Sequence, residues 1–459
     1  MAHLGSASLK REAGTRFGDI DAERRAHGAW ACTSAGGRPA SYYAASAHAQ
    51  LSRPRLDGAA SADVCVVGAG FTGISAALEL AARGFRVVVL EGESVGWGAS
   101  GRNGGQLVNG YSRSLEVIGK RYGEAARRAL GAMALEGAHI IRSRVADYDI
   151  QCDLVDGALV TAFTSRQMHT LEHEVRVWRE HGHGQIEMVD RAAVGKMVAS
   201  ERYIGGMLDL KGGHFHPLNY LLGEARMVEA LGGAIYERSR VVGIARHAGK
   251  PVAVTAHGQV TAEILLLCGN AYLGDAVPQL SGRVMPVSSQ IVATEPLGAL
   301  AETLLPPNYC VENANYILDY FRRSADGRLL YGGGSVYGGR DPASIERKLR
   351  PALTRTFPQL RGVRLDYAWS GNFALTLTRV PQVGRIAPDI YYSHGDSGHG
   401  VTTTQLLGRL LAEGVAGQME RFDAFASLPH FDFPGGPRLR VPLTVLGSWC
   451  YRLRDRLGV

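Results

Sequence analysis

The chain has 459 residues, of which 46% are hydrophobic and 20% charged, and this predicts a packed globular protein large enough for two domains. The net charge of +7 comes from the two ends, because residues 1–57 carry 8 basic and 5 acidic residues, residues 434–459 carry 5 and 1, and 37 of each remain between them. The balanced body disfavours a nucleic-acid partner, and no apolar run approaches the roughly 18 residues of a membrane-spanning helix.

Residues 1–57 are predicted to form an N-terminal extension that is partly flexible. The first 40 residues are rich in Arg, Ala, Ser and Gly, which is typical of a transit peptide, but four acidic residues within them argue against one. The stretch also lacks the apolar core of a secretory signal. The six cysteines show no clustered spacing, so we expect a reducing, cytoplasmic environment.

The segment from 63 to 91 predicts a dinucleotide-binding unit. It carries, in order, a buried strand, a G-x-G-x-x-G turn, a helix and a second strand: Val64–Val67, Gly68 to Gly73, Ile74 to Arg83, and Arg86–Leu90. This context gives the glycine motif its specificity. Gly68 allows the tight turn, Gly70 lets the backbone approach a pyrophosphate, and Gly73 lets the helix pack on the strand. Glu91 then accepts from the ribose hydroxyls.

A second glycine-rich loop, from 94 to 106, distinguishes FAD from NAD as the cofactor. It carries five glycines, with Ser100, Arg102, Asn103 and Gln106 between or after them. An NAD domain needs no such loop directly after the ribose acid, whereas FAD extends further and needs donors along its length. Ser100 and Asn103 can cap a helix and donate to phosphate or ribityl oxygens. The alternative is a solvated surface loop.

The G-x-G-x-x-G and acid, followed by GASGRNGGQ, resemble the D-amino-acid-oxidase-like family of FAD-dependent amine oxidases. The resemblance runs from about residue 41 to residue 457, and further segments agree in order: GGHFHPLNY (212–220), CGNAYLG (268–274), PVSSQIVATEPL (286–297), LLYGGGSVYGGRDP (329–342), WSGNFALTLTRVPQVGRI (369–386) and HGDSGHGVTTTQLLGRLLAE (394–413). It implies FAD. The FAD is expected to be non-covalent, because no cysteine lies between Cys310 and Cys450 and Gly98 follows Trp97 where some relatives attach FAD through His.

The expected fold is α/β (α+β overall), with a Rossmann-like FAD-binding domain interleaved with an antiparallel-sheet substrate domain. Short aromatic and β-branched runs between Gly turns in 282–366 favour that sheet, and Leu115–Ile150 predicts one long helical stretch. The predicted boundaries are 58–150, 205–281 and 367–425 for the FAD-binding domain, 151–204 and 282–366 for the substrate domain, and 426–459 for a basic C-terminal tail. In the tail, Leu446, Cys450, Leu453 and Leu457 share one helical face, which is expected to pack onto the body.

A second flavin element is predicted near the C-terminus. The strand Ile390–Tyr392 is followed by a Gly-rich turn and by the helix Val401–Glu413. The helix N-terminus can stabilise negative charge at the flavin N1–C2=O locus. The resemblance implies this placement for Gly398, His399 and Gly400, and His399 either contacts the ring or only caps the helix.

The candidate site residues follow from these motifs and from the resemblance. The predicted cofactor-binding residues are Gly68, Gly70, Phe71, Thr72, Gly73, Glu91, Ser100, Arg102, Asn103, Gly104, Gln106, Val241, Gly371, Gly398, His399, Gly400, Val401 and Thr402. The predicted catalytic residues are Trp369, His399 and Arg322. The predicted substrate residues are Tyr320, Arg322, Trp369 and Asn372.

Several roles stay open at this point. The resemblance implies that Trp369 faces the flavin and that Arg322 holds a substrate carboxylate through bidentate bonds, but Arg322 is equally well a solvated strand charge. His214 and His216 are interpreted as structural, with a cavity role for His216 as a minority alternative, and Lys211 is a weak candidate for oxygen activation. No metal site is predicted, since the six cysteines show no C-x-x-C spacing.

The resemblance implies an FAD-dependent amine oxidase that acts on CH–NH or CH–NH2 donors. The expected reaction is oxidative deamination of an ω-amine such as γ-glutamylputrescine, in putrescine catabolism, with oxygen as acceptor and aldehyde, ammonia and peroxide as products. The alternative is an oxidase or dehydrogenase of a secondary amine or amino acid. A flavoprotein acting on a macromolecule such as tRNA is less favoured, because the body is neutral. The sequence sets no oligomeric state.

Overall fold

A computed structural model describes residues 38–49 and 52–457, without the side chains of 275 and 450–457. The expectations for residues 1–37 lie outside this range. Within it, two β-sheets and their covering helices make up the fold. The helices are α1 (Tyr42–Ala45), α2 (Phe71–Ala82), α3 (Leu115–Tyr122), α4 (Glu124–Met133), α5 (Glu136–Asp147), α6 (Ser165–Glu180), α7 (Arg191–Met197), α8 (Pro217–Ala230), α9 (Pro278–Ser281), α10 (Ala299–Leu304), α11 (Ile345–Thr356), α12 (Gly400–Val415), α13 (Met419–Ala426) and α14 (Gly436–Leu457).

The first sheet has eight strands around a parallel centre. Its strands are β1 (Gly58–Val67), β2 (Val87–Leu90), β7 (Ala234–Tyr236), β8 (Val241–His247), β9 (Lys250–Thr255), β10 (Gly258–Leu267), β16 (Gln382–Ala387) and β17 (Ile390–His394). The order is β16-β17-β10-β1-β2-β7, and β9 pairs with both β10 and β8. Strands β17, β10, β1, β2 and β7 run parallel, as expected for a dinucleotide-binding sheet.

Two glycines make the first turn of this sheet possible. Gly68 has a φ of 103°, and a Cβ there would lie 2.8 Å from the carbonyl oxygen of Cys268, directly after the neighbouring strand β10. A Cβ on Gly73 would lie 1.9 Å from the carbonyl oxygen of Gly68. The motif therefore brings α2 directly onto β1, as the glycine spacing predicts.

The second sheet has nine strands and is antiparallel except for one pair. Its strands are β3 (Gln106–Leu107), β4 (Val155–Ala162), β5 (Ile186–Asp190), β6 (Gly205–His214), β11 (Val284–Thr294), β12 (Cys310–Asn313), β13 (Asp319–Arg323), β14 (Leu329–Tyr337) and β15 (Leu365–Thr376). The order is β15-β11-β14-β13-β12-β4-β6-β3, with β5 beside β6, and the parallel pair is β12 with β4. The antiparallel strands predicted between 282 and 366 all lie in this sheet.

Strand pairing bears on the predicted domain segments. Gly205–His214 and Leu365–Thr376 fall wholly or mostly within the predicted FAD-binding segments, yet both pair in the nine-stranded sheet. The predicted boundaries remain a prediction. What the pairing establishes is that the chain passes between the two sheets several times, so that loops of one sheet reach the other.

The long helical stretch predicted for Leu115–Ile150 is helical but divided, because the segment forms α3, α4 and α5. Gly123, with a φ of 92°, ends α3 and precedes α4. A left-handed backbone cannot continue a right-handed helix. A second break between Met133 and Glu136 separates α4 from α5.

A buried ion network joins the helices beneath the nucleotide-binding sheet. Arg144 donates to Glu224 Oε1 and Gln405 Oε1, each at 2.7 Å, and to Ser75 Oγ at 2.9 Å. It also donates to Glu79 at 2.8 Å. Glu224 is fully buried. The network thus fixes α5, α8, α2 and α12 relative to one another.

The two ends of the described chain both contact the body. Tyr43 in α1 is fully buried, and Arg53 binds Glu229 at 2.7 Å, so the described part of the predicted extension packs against the core. In α14, Arg440 donates to the carbonyl of Ser281, and Val441 packs on a small apolar cluster. Leu446, in contrast, is exposed, as are Leu439, Leu443 and Trp449, and the side chains of the other three residues of the predicted face lie outside the described ones.

The four cysteines described by the structure are buried and unpaired: Cys65, Cys152, Cys268 and Cys310. Burial raises the pKa of the first three thiols to about 12 and that of Cys310 further. In the described residues no helix has the length and apolarity to cross a membrane. Over that same range no three His, Cys, Asp or Glu side chains group so as to hold a metal ion.

Candidate functional site

A cavity of about 620 Å³ is lined by residues of both sheets and their connecting loops. It brings together most of the residues predicted from the sequence, although these are distributed over more than 300 positions. The predicted residues that line it are Gly68, Gly70, Phe71, Thr72, Glu91, Ser100, Arg102, Asn103, Gly104, Gln106, Val241, Tyr320, Gly371, Asn372, Gly398, His399, Gly400 and Val401.

Glu91 occupies one end of the cavity, directly after β2. Its Oε2 accepts from the Ala69 N–H at 2.8 Å and its Oε1 accepts from the Glu93 N–H at 2.9 Å. Burial raises the pKa of the Glu91 carboxyl, and the two N–H bonds oppose that rise. The carboxylate is thus held in one orientation with acceptor capacity left, which suits a ribose diol.

The N-terminus of α2 opens toward the same end. Its N-cap residue, Gly70, has no side chain to occupy the first backbone donors. In the described structure, one N–H of the first turn has a side-chain acceptor. It is the Phe71 N–H, which donates to Ser100 Oγ at 2.9 Å. A helix start of this kind binds a pyrophosphate through N–H groups and the helix dipole.

The second glycine-rich loop is fixed by its own polar side chains. Asn103 Nδ2 donates to the carbonyls of Ala99 and Ser100, and its Oδ1 accepts from the Gly105 N–H at 2.7 Å. Gln106 donates to the Val311 carbonyl at 3.2 Å. Asn103 was predicted to donate to phosphate or ribityl oxygens. Its amide instead binds the backbone of the loop, because consecutive glycines need a side chain to hold their backbone.

Arg102 ties this loop to both neighbouring elements. Its guanidinium donates to the carbonyls of Gly98 and Ser370 and to the Tyr272 hydroxyl, at 3.2, 3.1 and 2.9 Å. It also lies over the Trp97 ring at 4.7 Å from the centroid. Arg102 lines the cavity but positions the loop rather than offering a free cation.

The Gly-rich turn and helix that were predicted as a second flavin element are present at the start of α12. Gly398, His399, Gly400 and Val401 line the cavity, and the His399 side chain does not cap the helix. No hydrogen bond to the His399 imidazole is found within 38–49 and 52–457. Burial, with a smaller contribution from the charge of Arg379, lowers the pKa of His399 to about 4. A neutral imidazole therefore faces the cavity, beside a helix N-terminus whose dipole points the same way.

Four predicted residues lie outside the cavity lining: Gly73, Trp369, Arg322 and Thr402. Trp369 is buried and its Nε1 donates to the Arg102 carbonyl at 3.0 Å, so it supports the glycine-rich loop from behind. Thr402 Oγ1 donates to the Val108 carbonyl. Gly73 serves the close packing of α2 described above.

Arg322 is the clearest difference from the sequence-based expectation. Its buried guanidinium donates to the carbonyls of Gly104 and Phe215, at 2.7 and 3.0 Å, and to the Tyr43 hydroxyl at 3.0 Å. The donors expected to hold a substrate carboxylate are thus used inside the protein. A surface charge, the alternative, does not fit either, because Arg322 is only 4% exposed.

The other three candidates, His216, His214 and Lys211, make structural contacts or lie outside the cavity lining. His216 caps α8 by accepting from the Asn219 N–H and lies 3.1 Å from Ser46 Oγ, and it is absent from the cavity lining. His214 contacts the Asn308 carbonyl at 2.8 Å. Lys211 is exposed and also lies outside the lining.

Sequence reasoning missed several charged and aromatic residues of the cavity. They include Arg113, Glu174, Glu312, Tyr316 and Arg379. Arg379 lies over the Tyr316 ring at 4.5 Å. Arg379 lies within the family segment WSGNFALTLTRVPQVGRI, so a signal for it was present in the sequence. Glu174 lies on an ordinary amphipathic helix, which gave no local signal.

The chemistry of the lining fits FAD. The glycine turn and the start of α2 provide for a pyrophosphate, Glu91 provides for a ribose, and the start of α12 provides for the electron-rich edge of a flavin. Within the described lining the only thiol is Cys268, which follows β10 beside the glycine turn. This arrangement agrees with non-covalent binding, which stays a prediction.

Comparisons with known proteins agree with this site. The sequence model of the DAO family, described as FAD dependent oxidoreductase, matches residues 63–414. The gamma-glutamylputrescine oxidoreductase of Escherichia coli (strain K12) is 54% identical over 421 residues, covering 91% of this chain and 99% of that protein. A probable oxidoreductase of Haemophilus influenzae is 40% identical, covering 91% of this chain and 97% of that protein.

Solved structures share the fold at low sequence identity. Glycine oxidase from Geobacillus kaustophilus superposes with a TM-score of 0.69 at 23% identity, over 81% of this chain and 100% of that chain. L-proline dehydrogenase from P. horikoshii gives 0.68 at 20% identity, over 80% and 96%. The predicted fold class is confirmed.

Proposed function

Because the chain belongs to the DAO family of FAD-dependent oxidoreductases, as the sequence motifs predict, we propose that it oxidises the primary amine of γ-glutamylputrescine. The products would be the aldehyde, ammonia and hydrogen peroxide, formed from the amine, oxygen and water. The observation that carries the substrate is the likeness to the Escherichia coli gamma-glutamylputrescine oxidoreductase along nearly the whole of both chains.

FAD supplies the redox chemistry when it is bound, by taking two electrons from the carbon beside the amine nitrogen and passing them to an acceptor. The chain holds and orients the cofactor through Glu91 and the starts of α2 and α12. The start of α12 also presents backbone donors where negative charge develops, and such preorganised donors stabilise the transition state.

The substrate amine must lose a proton before its carbon can be oxidised, because the nitrogen lone pair drives the transfer. An alkyl ammonium has a pKa of about 10.4. His399 carries a neutral imidazole that faces the cavity without a hydrogen-bond partner in the described structure. We infer that the proton is lost to solvent and that a ring nitrogen of His399 then accepts a hydrogen bond from the neutral amine, while Tyr320 offers an aromatic face to the alkyl chain and its cation.

An ordinary α-amino acid is a poorer candidate. Its carboxylate would lie one carbon from the reacting atom and would need a nearby cation. Arg322, which the resemblance assigns to that task, is occupied by two carbonyls and a hydroxyl. A substrate whose carboxylate is remote from the reacting carbon avoids this requirement.

Oxygen as the acceptor and a cytoplasmic location belong to the proposal as well. The four described cysteines are unpaired, which agrees with a reducing compartment. The cavity accommodates a small molecule, and the balanced charge of the body gives no support to a nucleic-acid substrate.

The test is anaerobic mixing of the yellow protein with γ-glutamylputrescine, putrescine or glutamate, with flavin absorbance as the readout. We expect rapid bleaching by γ-glutamylputrescine and little by the other two. Admission of oxygen should then restore the flavin with one peroxide per turnover. A flavin that stays oxidised with γ-glutamylputrescine but bleaches with glycine or proline would replace this proposal by the amino-acid alternative.

A further inference from the structure

Two carboxylates face the cavity without a cation to neutralise them. Glu312 on β12 and Glu174 on α6 both line it, and neither side chain forms a hydrogen bond or ion pair in the described structure. They lie close enough that the charge of Glu174 adds to burial in raising the pKa of Glu312, to about 7. Unpaired buried carboxylates are costly to fold, so such a pair at a cavity wall indicates a cationic ligand.

An unpaired guanidinium lines the same cavity. Arg113 lines it and likewise has no partner among the residues described. Its segment runs along α6: a Cβ on Gly110 would lie 2.9 Å from the Trp178 ring, and Glu116 contacts His173 at 2.6 Å. Arg113 lies between these two contacts in the chain, and its side chain forms no ion pair with Glu174 in the described structure.

Unpaired charges of both signs in one cavity match a ligand that carries both signs itself. We propose that Glu312, Glu174 and Arg113 form a subsite for the α-amino-acid head of the substrate, with the two carboxylates holding the α-ammonium and the guanidinium holding the α-carboxylate. This assignment rests on the proposed function, since γ-glutamylputrescine carries that zwitterion at the end opposite its reacting amine.

The carboxylates suit the ammonium that does not react. A carboxylate pair stabilises the protonated form of an amine, and the reacting nitrogen must be deprotonated. The position of Glu312, far from the glycine-rich loop, agrees with a role at the unreactive end of the substrate. A row of paired residues crosses the sheet from Trp369 on β15, which supports the glycine-rich loop, through Ile291, Gly332 and Tyr320 to Glu312. Glu312 is thus four strand spacings from Trp369, roughly 19 Å.

The experiment uses four amines that share the reacting aminobutyl group. γ-Glutamylputrescine carries both head charges, glutarylputrescine only the carboxylate, 4-aminobutyrylputrescine only the ammonium, and butyrylputrescine neither. The rate constant of anaerobic flavin reduction at low substrate is measured for the wild-type protein and for Glu312→Gln, Glu174→Gln and Arg113→Met. Glu172→Gln, exposed on the same helix, is the matched control.

Glu312→Gln should slow reduction by the two ammonium-bearing heads at least about tenfold, and leave the other two amines within about twofold. Arg113→Met should instead slow the two carboxylate-bearing heads. Equal loss on all four amines, or no loss on any, would overturn the subsite. If Glu312→Gln does not fold with flavin bound, Glu174→Gln is held to the same pattern. A wild-type protein that oxidises none of the four would contradict the proposed function itself, which is a different result.

Discussion

Replacing the carboxylate of Glu91 by an amide should weaken FAD binding selectively. In Glu91→Gln one oxygen that now accepts from a backbone N–H becomes an NH2 group, so either Ala69 or Glu93 loses its acceptor. The ribose also loses a charged acceptor. A hydrogen bond to a charged group contributes about 1.5–3 kcal/mol, so the dissociation constant of FAD should rise roughly 10- to 150-fold.

The assay is fluorescence titration of the flavin-free protein with FAD and with FMN. FMN lacks the adenosine whose ribose Glu91 is expected to bind, so its affinity should change little. Glu263→Gln is the control, because Glu263 lies on β10 of the same sheet but its side chain is 55% exposed, paired with Lys250. Equal weakening for FAD and FMN would refute the assignment of Glu91 to the ribose.

The same contact predicts a pH dependence of FAD affinity. Burial raises the pKa of Glu91 above its ordinary value of 4.5. The charged form is the one that binds, so affinity is present above the raised pKa and is lost as the pH falls through it. In the wild-type protein the loss should therefore begin above pH 4.5, and in Glu91→Gln this acid-side loss should be absent.

Three further outcomes are expected. Acid precipitation should release all flavin to the supernatant, and flavin in the pellet would show a covalent bond. In stopped flow, flavin reduction at low γ-glutamylputrescine should accelerate from about pH 7 to 9, because the pKa of the amine is about 10.4 while burial holds the pKa of His399 near 4. His216→Ala should show the same pH dependence. A flat wild-type profile would show that deprotonation does not limit the rate. Arg144→Met should lower the free energy of unfolding by about 3–5 kcal/mol in urea melts, against under about 0.5 for exposed Arg128→Met.

The parts of the fold set by local steric rules were predictable from the sequence. Gly68 and Gly73 must be glycine because another strand and the turn itself fill the space of a Cβ. The acid after β2 and the Gly-rich start of α12 follow from the same kind of local rule. Such motifs signal their contacts within a few residues, so most of the residues predicted for cofactor binding line one cavity.

Roles that depend on distant partners were not predictable. Arg322 resembled a carboxylate anchor, but its donors meet the carbonyls of Gly104 and Phe215 and the hydroxyl of Tyr43, which lie far away in the chain. Trp369 likewise donates from its Nε1 to the distant Arg102 carbonyl. Periodicity gives the side of a strand on which a residue lies, but not what covers that side.

Helix breaks were missed for a related reason. Residues 115–150 have strong helical composition, and Gly alone costs a helix only about 1 kcal/mol. The left-handed φ of Gly123 is set by the packing of α3 against α4, which the pattern does not contain. Glu174 and Glu312 escaped notice because only the pairing of β12 with β13 and the docking of α6 bring them to one wall.

The burial of the four described thiols has a consequence for the durability of the protein under the oxygen-dependent reaction proposed above. Peroxide attacks the thiolate form of cysteine. With thiol pKa values of about 12 for Cys65, Cys152 and Cys268, roughly one thiol in 10⁵ is ionised at neutral pH. Even Cys268, at the wall of the cavity, therefore presents an inert neutral group to an oxidant released beside it. Repeated turnover should leave these four positions chemically unchanged, so that inactivation, where it occurs, begins elsewhere in the chain.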